Sequence, residues 1–165
     1  TFFIGGLPML FYGDETGHGN DYSYLNDPAK SYDNRWMHRP LIDWNKNERV
    51  HQSGTVEQIL FTATQKLLQI RKRLPVIADK KNLTWLTPHN RSIAGWLRAW
   101  DQERVYCLFN YSDLPQGITW YAFKEHGLVP TKLYDHWTEG SFLVGRDEEH
   151  LIIEPYGFRI LEMKK

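Results

Sequence analysis

The stretch Gly6-Leu7-Pro8-Met9-Leu10-Phe11-Tyr12-Gly13-Asp14-Glu15 decides the fold class. Its apolar residues run without a break from Pro8 to Tyr12 between Gly6 and Gly13. A run of that kind reads as a short strand covered on both faces, the pattern of a parallel sheet under helices. The chain opens at Thr1 without a methionine and offers no partner strand before this one. The strand is therefore expected to belong to a sheet whose other members lie upstream. The wider apolar run, residues 2 to 12, is too short to span a membrane as a helix and is interrupted by Gly5-Gly6 and Pro8.

Outward from this strand, residues 14 to 53 are rich in Asn, Asp, Gly and Ser and hold no helical or alternating period. Loops of that length are uncommon and usually functional or disordered. The interleaved Tyr22, Tyr24, Tyr32, Trp36 and Trp44 favour an ordered one. A helix follows, with Thr55 as N-cap and Gln58 as its capping-box partner. Val56, Ile59, Leu60, Ala63, Leu67, Ile70 and Leu74 recur at helical spacing, Arg71-Lys72-Arg73 suit the final turn, and Pro75 ends it. This apolar stripe is expected to pack on a core that includes Pro8 to Tyr12.

Beyond Pro75 the pattern changes to short β runs parted by polar turns such as Asp101-Gln102-Glu103. They are Leu83 to Leu86, Ser92 to Trp100, Arg104 to Tyr111, Ile118 to Ala122, Thr131 to Tyr134, Ser141 to Val144, His150 to Glu154 and Gly157 to Met163. That spacing indicates an antiparallel sandwich. The expected domain boundary lies between Leu74 and Lys81, which divides the chain into residues 1–75 and 76–165.

With 165 residues, 41% hydrophobic and 15% aromatic, the chain can build one real core shared between a small helical layer and a larger β layer. Twenty basic residues balance twenty acidic ones, so neither nucleic acid nor an anionic membrane surface is an expected partner. The single cysteine, Cys107, allows no intrachain disulfide and reads as a small buried hydrophobe, which suits a reducing, cytoplasmic compartment.

The chemistry available to a hydroxyl-rich ligand is concentrated in residues 14 to 44: Asp14, Glu15, Asp21, Asp33, Arg35, His38, Arg39 and Asp43. Paired carboxylates are what glycoside hydrolysis requires, one as proton donor and one as nucleophile or base. Carboxylates that follow a strand also close turns on backbone N–H groups, and Asp14-Glu15 fit that reading better. Arg35 and Arg39 flank Trp36 and His38, a set of planar donors suited to hydroxyls or to carboxylates, including a salt bridge within the loop. His18 and His38 show no metal-ligand spacing, so hydrogen-bonded roles are expected for them, with no metal and no cofactor. Trp85, Trp96, Trp100, Trp120 and Trp137 read as sandwich core more readily than as exposed stacking platforms.

These residues carry a resemblance. Gly6-Leu7-Pro8 through Tyr12-Gly13-Asp14-Glu15 resembles the eighth-strand motif of glycoside hydrolase family 13, the α-amylase family, in which Gly-x-Pro precedes an apolar strand ending in Tyr-Gly-x-Glu. Asn20-Asp21, Asp33-Asn34-Arg35-Trp36 and His38-Arg39-Pro40 resemble the loop of its amylosucrase subgroup, with Asn34 in place of the usual serine. The resemblance implies a mixed α+β fragment: the last strand, loop and helix of a TIM (β/α)8 barrel, then an all-β antiparallel sandwich.

In such barrels the active site lies at the C-terminal ends of the strands, so residues 14 to 44 would line the sugar pocket. By resemblance Arg35, Asp21, Asp33 and His38 are the substrate-binding candidates, with Arg35 pairing to an acidic residue of an early barrel loop. The family's catalytic acids lie on earlier strands, so no catalytic residue is assigned here and the chain alone is expected to be inactive. The implied partners are the remainder of the barrel, sucrose and α-glucan, and the implied reaction is retaining α-glucosyl transfer to glucan or water. A sucrose hydrolase, an α-glucosidase, a trehalose synthase and a non-catalytic β-sandwich module that supports the barrel or binds glucan remain alternatives. Cut from its barrel, the strand at Pro8 to Tyr12 is expected to pair with a second copy or fold under its own loop.

Overall fold

A computed structural model describes residues 2–127, 130–146 and 149–164. They form two compact units, Met9–Leu68 and the combination of Thr1–Pro8 with Gln69–Lys165. In chain order the regular elements are α1 (Trp44–Asn47), α2 (Val56–Arg73), β1 (Leu83–Trp85), β2 (Ile93–Trp100), β3 (Glu103–Asn110), β4 (Gln116–Thr119), β5 (Lys132–Asp135), β6 (Gly140–Leu143), β7 (His150–Ile153) and β8 (Phe158–Lys164), with short 3-10 turns between them.

The second unit is built on a six-stranded antiparallel sheet in the order β1-β2-β3-β8-β5-β6, accompanied by the two-stranded ribbon β4-β7. The strands follow the polar punctuation of the sequence. A two-residue turn joins Trp100 to its partner Glu103, and Asp101 takes the left-handed conformation (φ 50°) that Asp tolerates. Ile118 to Ala122 is the one segment that departs: β4 stops at Thr119, and Trp120–Phe123 coils into a 3-10 turn that turns Trp120, Ala122 and Phe123 inward.

Because side chains alternate along a strand, the sheet has two distinct faces. Leu97, Tyr106, Leu108, Leu133 and Leu161 line one of them, and Ile118, Trp120, Phe123 and Ile153 cover it. Gly95 makes room in this layer, since a Cβ there would lie 2.6 Å from the Leu108 side chain. Buried Asn110 ties the ribbon to the sheet by donating to the carbonyls of Leu114, Ile153 and Glu154 at 2.8–3.1 Å. The other face carries an aromatic row, Trp85, Trp96, Phe109, Phe158 and Trp137, with successive ring centroids 4.9–6.1 Å apart. Cys107 is fully buried on this face, and burial pushes its thiol up to about 12. Of the tryptophans, Trp96 and Trp120 are buried, whereas Trp85 and Trp100 are exposed.

Arg98 also points to this second face and is completely buried. Its guanidinium donates to the carbonyl of Ile4 at 2.7 Å, to those of Val76 and Ile77 at 3.4 and 3.2 Å, and to that of Asp79. Beside it the Trp96 indole donates to the Phe3 carbonyl at 3.0 Å. These bonds seat residues 3–4 and the turn after α2 on β2.

Three further expectations are corrected. Pro8 to Tyr12 forms no strand: it is irregular, with Leu7 93% and Met9 83% exposed. A strand exists only through its neighbours, and no other strand pairs with this segment among the described residues, so a barrel strand is not shown here. Helix α2 forms as expected and Thr55 Oγ1 accepts from the Gln58 amide at 3.2 Å. The Gln58 side chain, however, turns to Thr62 Oγ1 instead of completing the capping box. Of the apolar stripe only Ile70 and Leu74 are buried; Val56, Ile59 and Leu60 are exposed. A stripe is covered only where a second layer exists to receive it.

Arg98→Ala is expected to lower stability by about 3 kcal/mol, because it strips the donors from buried carbonyls; an unchanged urea midpoint would contradict this. Thr55→Ala is expected to cost about 1 kcal/mol and to fray the first turn of α2, read by far-UV circular dichroism.

Candidate functional site

The loop of the Met9–Leu68 unit is ordered by its own carboxylates. Asp14 Oδ2 accepts from the Phe11 amide at 3.1 Å and Glu15 Oε2 from the Gly13 amide at 3.1 Å, so the two neighbours act as turn closers. Asp21 accepts from the Ser23 amide at 2.8 Å, Asp33 from the Arg35 amide at 3.0 Å and Asp43 from the Lys46 amide at 3.0 Å. Asp33 and Asp43 thereby cap the turns Asn34–His38 and Trp44–Asn47. Every carboxylate singled out in the sequence is spent on backbone N–H groups.

Longer links close the loop on itself. The Tyr12 hydroxyl donates to the Pro40 carbonyl at 3.1 Å, and the Asp21 amide to the Met37 carbonyl at 2.9 Å. Asn47 Oδ1 receives Thr16 Oγ1 at 3.0 Å and His18 Nε2 at 2.9 Å, and Lys46 Nζ reaches the Gly17 carbonyl at 3.0 Å. His18 is therefore a hydrogen-bonded loop residue. His38 Nδ1 meets Asn20 Oδ1 at 3.2 Å. Among the described residues no three His, Cys, Asp or Glu side chains gather as a metal would need.

Arg35 is gripped by Asp33. Its Nε lies 2.9 and 3.0 Å from the two carboxylate oxygens and its Nη2 lies 2.8 Å from Oδ2. The Arg35 guanidinium beside it, with the Arg35 amide, holds the Asp33 carboxyl down to about 2. Nη1 makes none of these bonds, and the side chain is 72% exposed. Among the described residues the partner of Arg35 is thus two residues away. Asp21, bonded to Ser23, is likewise held below the usual carboxylate range.

Asp21 lines a depression of about 240 Å³ together with Tyr24, Asp27, Lys30, Trp36 and Arg39. Lys30 Nζ sits 5.2 Å from the Trp36 ring centroid and 3.4 Å from Asp27 Oδ2. Of the four sequence candidates, then, only Asp21 borders this depression; Asp33 and Arg35 pair with each other and His38 pairs with Asn20. The sequence had marked Trp36 and Arg39 as planar groups and Tyr24 as an aromatic that orders the loop, but Lys30 carried no signal, since a cation over a ring six residues away follows no fixed spacing. Glu57 was also missed: it is buried in the first turn of α2, 3.4 Å from Arg49 Nε and 3.9 Å from Lys46 Nζ.

No protein-family model matches the chain. It is similar to the trehalose synthase of Thermus thermophilus, 24% identical over 188 residues that take in 98% of this chain and 18% of that protein. It is also similar to the glycogen debranching enzyme of Yersinia pestis, 25% identical over 158 residues, 79% of this chain and 20% of that protein. Among solved structures, AmyP in complex with maltose matches with a TM-score of 0.58 at 12% identity, over 69% of this chain and 22% of that one. The fold is that of a small antiparallel β-sheet domain matching an α-amylase C-terminal β-domain. This chain spans only 18–22% of the length of these proteins.

Because Asp33 is depressed, its pairing with Arg35 is complete above the ordinary carboxylate value of 3.8 and is lost as pH falls through about 2. Carboxyl NMR is expected to show Asp33 still ionised at pH 3; a midpoint near 3.8 would mean the pair does not form in solution.

Proposed function

We propose that this chain is the C-terminal part of a family 13 enzyme of amylosucrase type, which moves an α-glucosyl unit from sucrose to an α-glucan or to water with retention. The observation that carries the reading is the Asp33–Arg35 pair in its ordered loop. Asp33 fixes the guanidinium by its Nε–Nη2 edge and leaves Nη1 for a second acceptor. That arrangement suits an arginine that closes a sugar pocket against a carboxylate from the rest of the barrel. The motifs around it, Asn20-Asp21, Asp33-Asn34-Arg35-Trp36 and His38-Arg39-Pro40, support the sucrose-using subgroup.

The mechanism divides between this chain and the remainder of the barrel. The loop carboxylates are engaged with backbone amides, so none is offered here as nucleophile or proton donor. Those roles belong to residues outside the chain, in the two-carboxylate scheme of retaining glycosidases. Asp21, Arg35 and His38 bind and orient sugar hydroxyls, and Asp33 positions Arg35. The exposed apolar groups of Leu7 to Tyr12, and of Val56, Ile59 and Leu60, are read as surfaces the rest of the barrel covers. In the chain alone they are surfaces for a second copy.

A second reading is a trehalose-forming parent, favoured by the Thermus relative, which is matched over nearly all of this chain. Incubating the longest polypeptide that carries this sequence with sucrose, and separately with maltose, distinguishes the two. Fructose released in excess of glucose supports transfer from sucrose; equal amounts indicate a sucrose hydrolase. Trehalose from maltose, with sucrose untouched, replaces the first reading with the second. In that polypeptide Arg35→Ala is expected to lower kcat/KM for sucrose at least 100-fold, about 2.7 kcal/mol of transition-state binding, with an unchanged melting temperature. Retained kinetics would remove Arg35 from the pocket.

A further inference from the structure

Among the described residues of the Met9–Leu68 unit, Glu57 is the one buried carboxylate, with its side chain 3% exposed. It stands in the first turn of α2, where the helix dipole favours an acid. An acid gains that benefit at the surface, so burial adds a desolvation cost that the dipole does not require. Its Oε2 accepts no hydrogen bond among the described residues, in contrast to the loop acids closed on backbone amides. What faces it is a pair of cations from the preceding turns: Lys46 Nζ lies 3.9 Å from Oε1 and Arg49 Nε 3.4 Å from Oε2.

Lys46 reaches further than this pair. Its ammonium donates to the Gly17 carbonyl at 3.0 Å, and its neighbour Asn47 meets Thr16 Oγ1 at 3.0 Å and His18 Nε2 at 2.9 Å on one amide oxygen. Two consecutive residues thus grip Thr16, Gly17 and His18. Gly17 is also pressed against α2: a Cβ there would lie 2.6 Å from Leu60 Cδ1, and its φ of 68° is one that glycine adopts freely. Leu60 stands one helical turn beyond Glu57, on the same face. The gripped residues and Trp44–Asn47 are the two ends of residues 19–43, the stretch that carries Asp21, Asp33, Arg35 and His38.

We infer that Glu57 is a positioning residue for this loop: its buried charge holds Lys46 on the Gly17 carbonyl and so fixes both ends of residues 19–43 against α2. A lysine has a flexible stem and a strongly hydrated head, and without a partner that head turns to water. A carboxylate removed from solvent attracts it more strongly than a surface acid does, because less water and salt screen the pair. Arg49 balances the second oxygen, so the carboxylate is paired on both sides. Glu57 itself touches no sugar; it acts through Lys46 and Gly17 on the side chains that do, as supporting groups do in any site held to a fixed geometry. The inference rests on the reading of this loop as the rim of a sugar pocket.

The test compares Glu57→Gln, Lys46→Met and the double variant in the longest polypeptide that carries this sequence. Glutamine keeps the shape of Glu57 without its charge; methionine keeps the stem of Lys46 without its ammonium, at a side chain that is 32% exposed. One readout is hydrogen exchange at the Thr16, Gly17 and His18 amides, which bond to the Gly13 and Asp14 carbonyls. The other is steady-state kinetics on whichever of sucrose or maltose is turned over. Each single variant is expected to speed that exchange and to raise KM, each about tenfold, with kcat unchanged, since the loop binds sugar and the reacting acids lie elsewhere. The double variant is expected to match a single one, because side chains that act as one unit are not additive. An unchanged KM overturns the inference whatever happens to kcat or the melting temperature, and so do additive effects. If Glu57→Gln does not fold, Lys46→Met decides by exchange and KM alone. A polypeptide inactive on both sugars removes the proposed reaction, and exchange then decides: faster exchange in the single variants keeps the clamp, and unchanged exchange overturns it.

Discussion

A buried guanidinium bonded to main-chain carbonyls is the constraint on which the sheet unit depends. Burying a charge is costly unless polar groups replace water around it, and the two Nη groups of Arg98 meet that demand with main-chain carbonyls, those of Ile4, Val76, Ile77 and Asp79. Two distant stretches of chain are thereby brought to one strand. The segment at Phe3 and Ile4 and the turn that follows α2 both end on β2, and Trp96 adds a second tie to Phe3. β2 and β3 are buried over four consecutive residues each, so the centre of the sheet is covered on both faces.

Charge is used in the same economical way in the loop unit. Its acids are close to main-chain amides in sequence and fold back on them, Asp14 on Phe11, Glu15 on Gly13, Asp21 on Ser23, Asp33 on Arg35 and Asp43 on Lys46. Such local bonds order a stretch that lacks regular structure and keep aromatic and cationic side chains at defined places on its surface. An ordered rim that contributes arginine, histidine and tryptophan while its acids are occupied fits a protein whose reacting carboxylates lie elsewhere in a longer polypeptide.

The strands were legible because each is bounded by polar turns and carries an apolar face; only Ile118 to Ala122 misled, since Trp120–Phe123 reaches the core by coiling rather than by alternation. The segment Pro8 to Tyr12 misled for the opposite reason. Its apolar run is right for a covered strand, but a strand is a property of pairs, and one sequence segment cannot supply its own neighbours. The stripe on α2 failed in the same way at Val56, Ile59 and Leu60. Arg98 was invisible because a single cation in a strand reads as surface, and nothing in the spacing announces four carbonyls. At the loop, the motif marked Arg35 and Asp33 separately; that the two grip each other depends on the capped turn at Asn34–His38, a conformation that only the folded loop reveals.

The central claim is that this chain shapes a sugar pocket whose covalent chemistry takes place elsewhere in the same polypeptide. Trapping the glucosyl-enzyme on the longest polypeptide that carries this sequence, with a slow fluorinated glucosyl donor, and mapping the label by peptide mass spectrometry tests this directly. The expected result is one glucosylated aspartate outside residues 1–165. A label on any carboxylate within these residues, or turnover without a trapped intermediate, would contradict it.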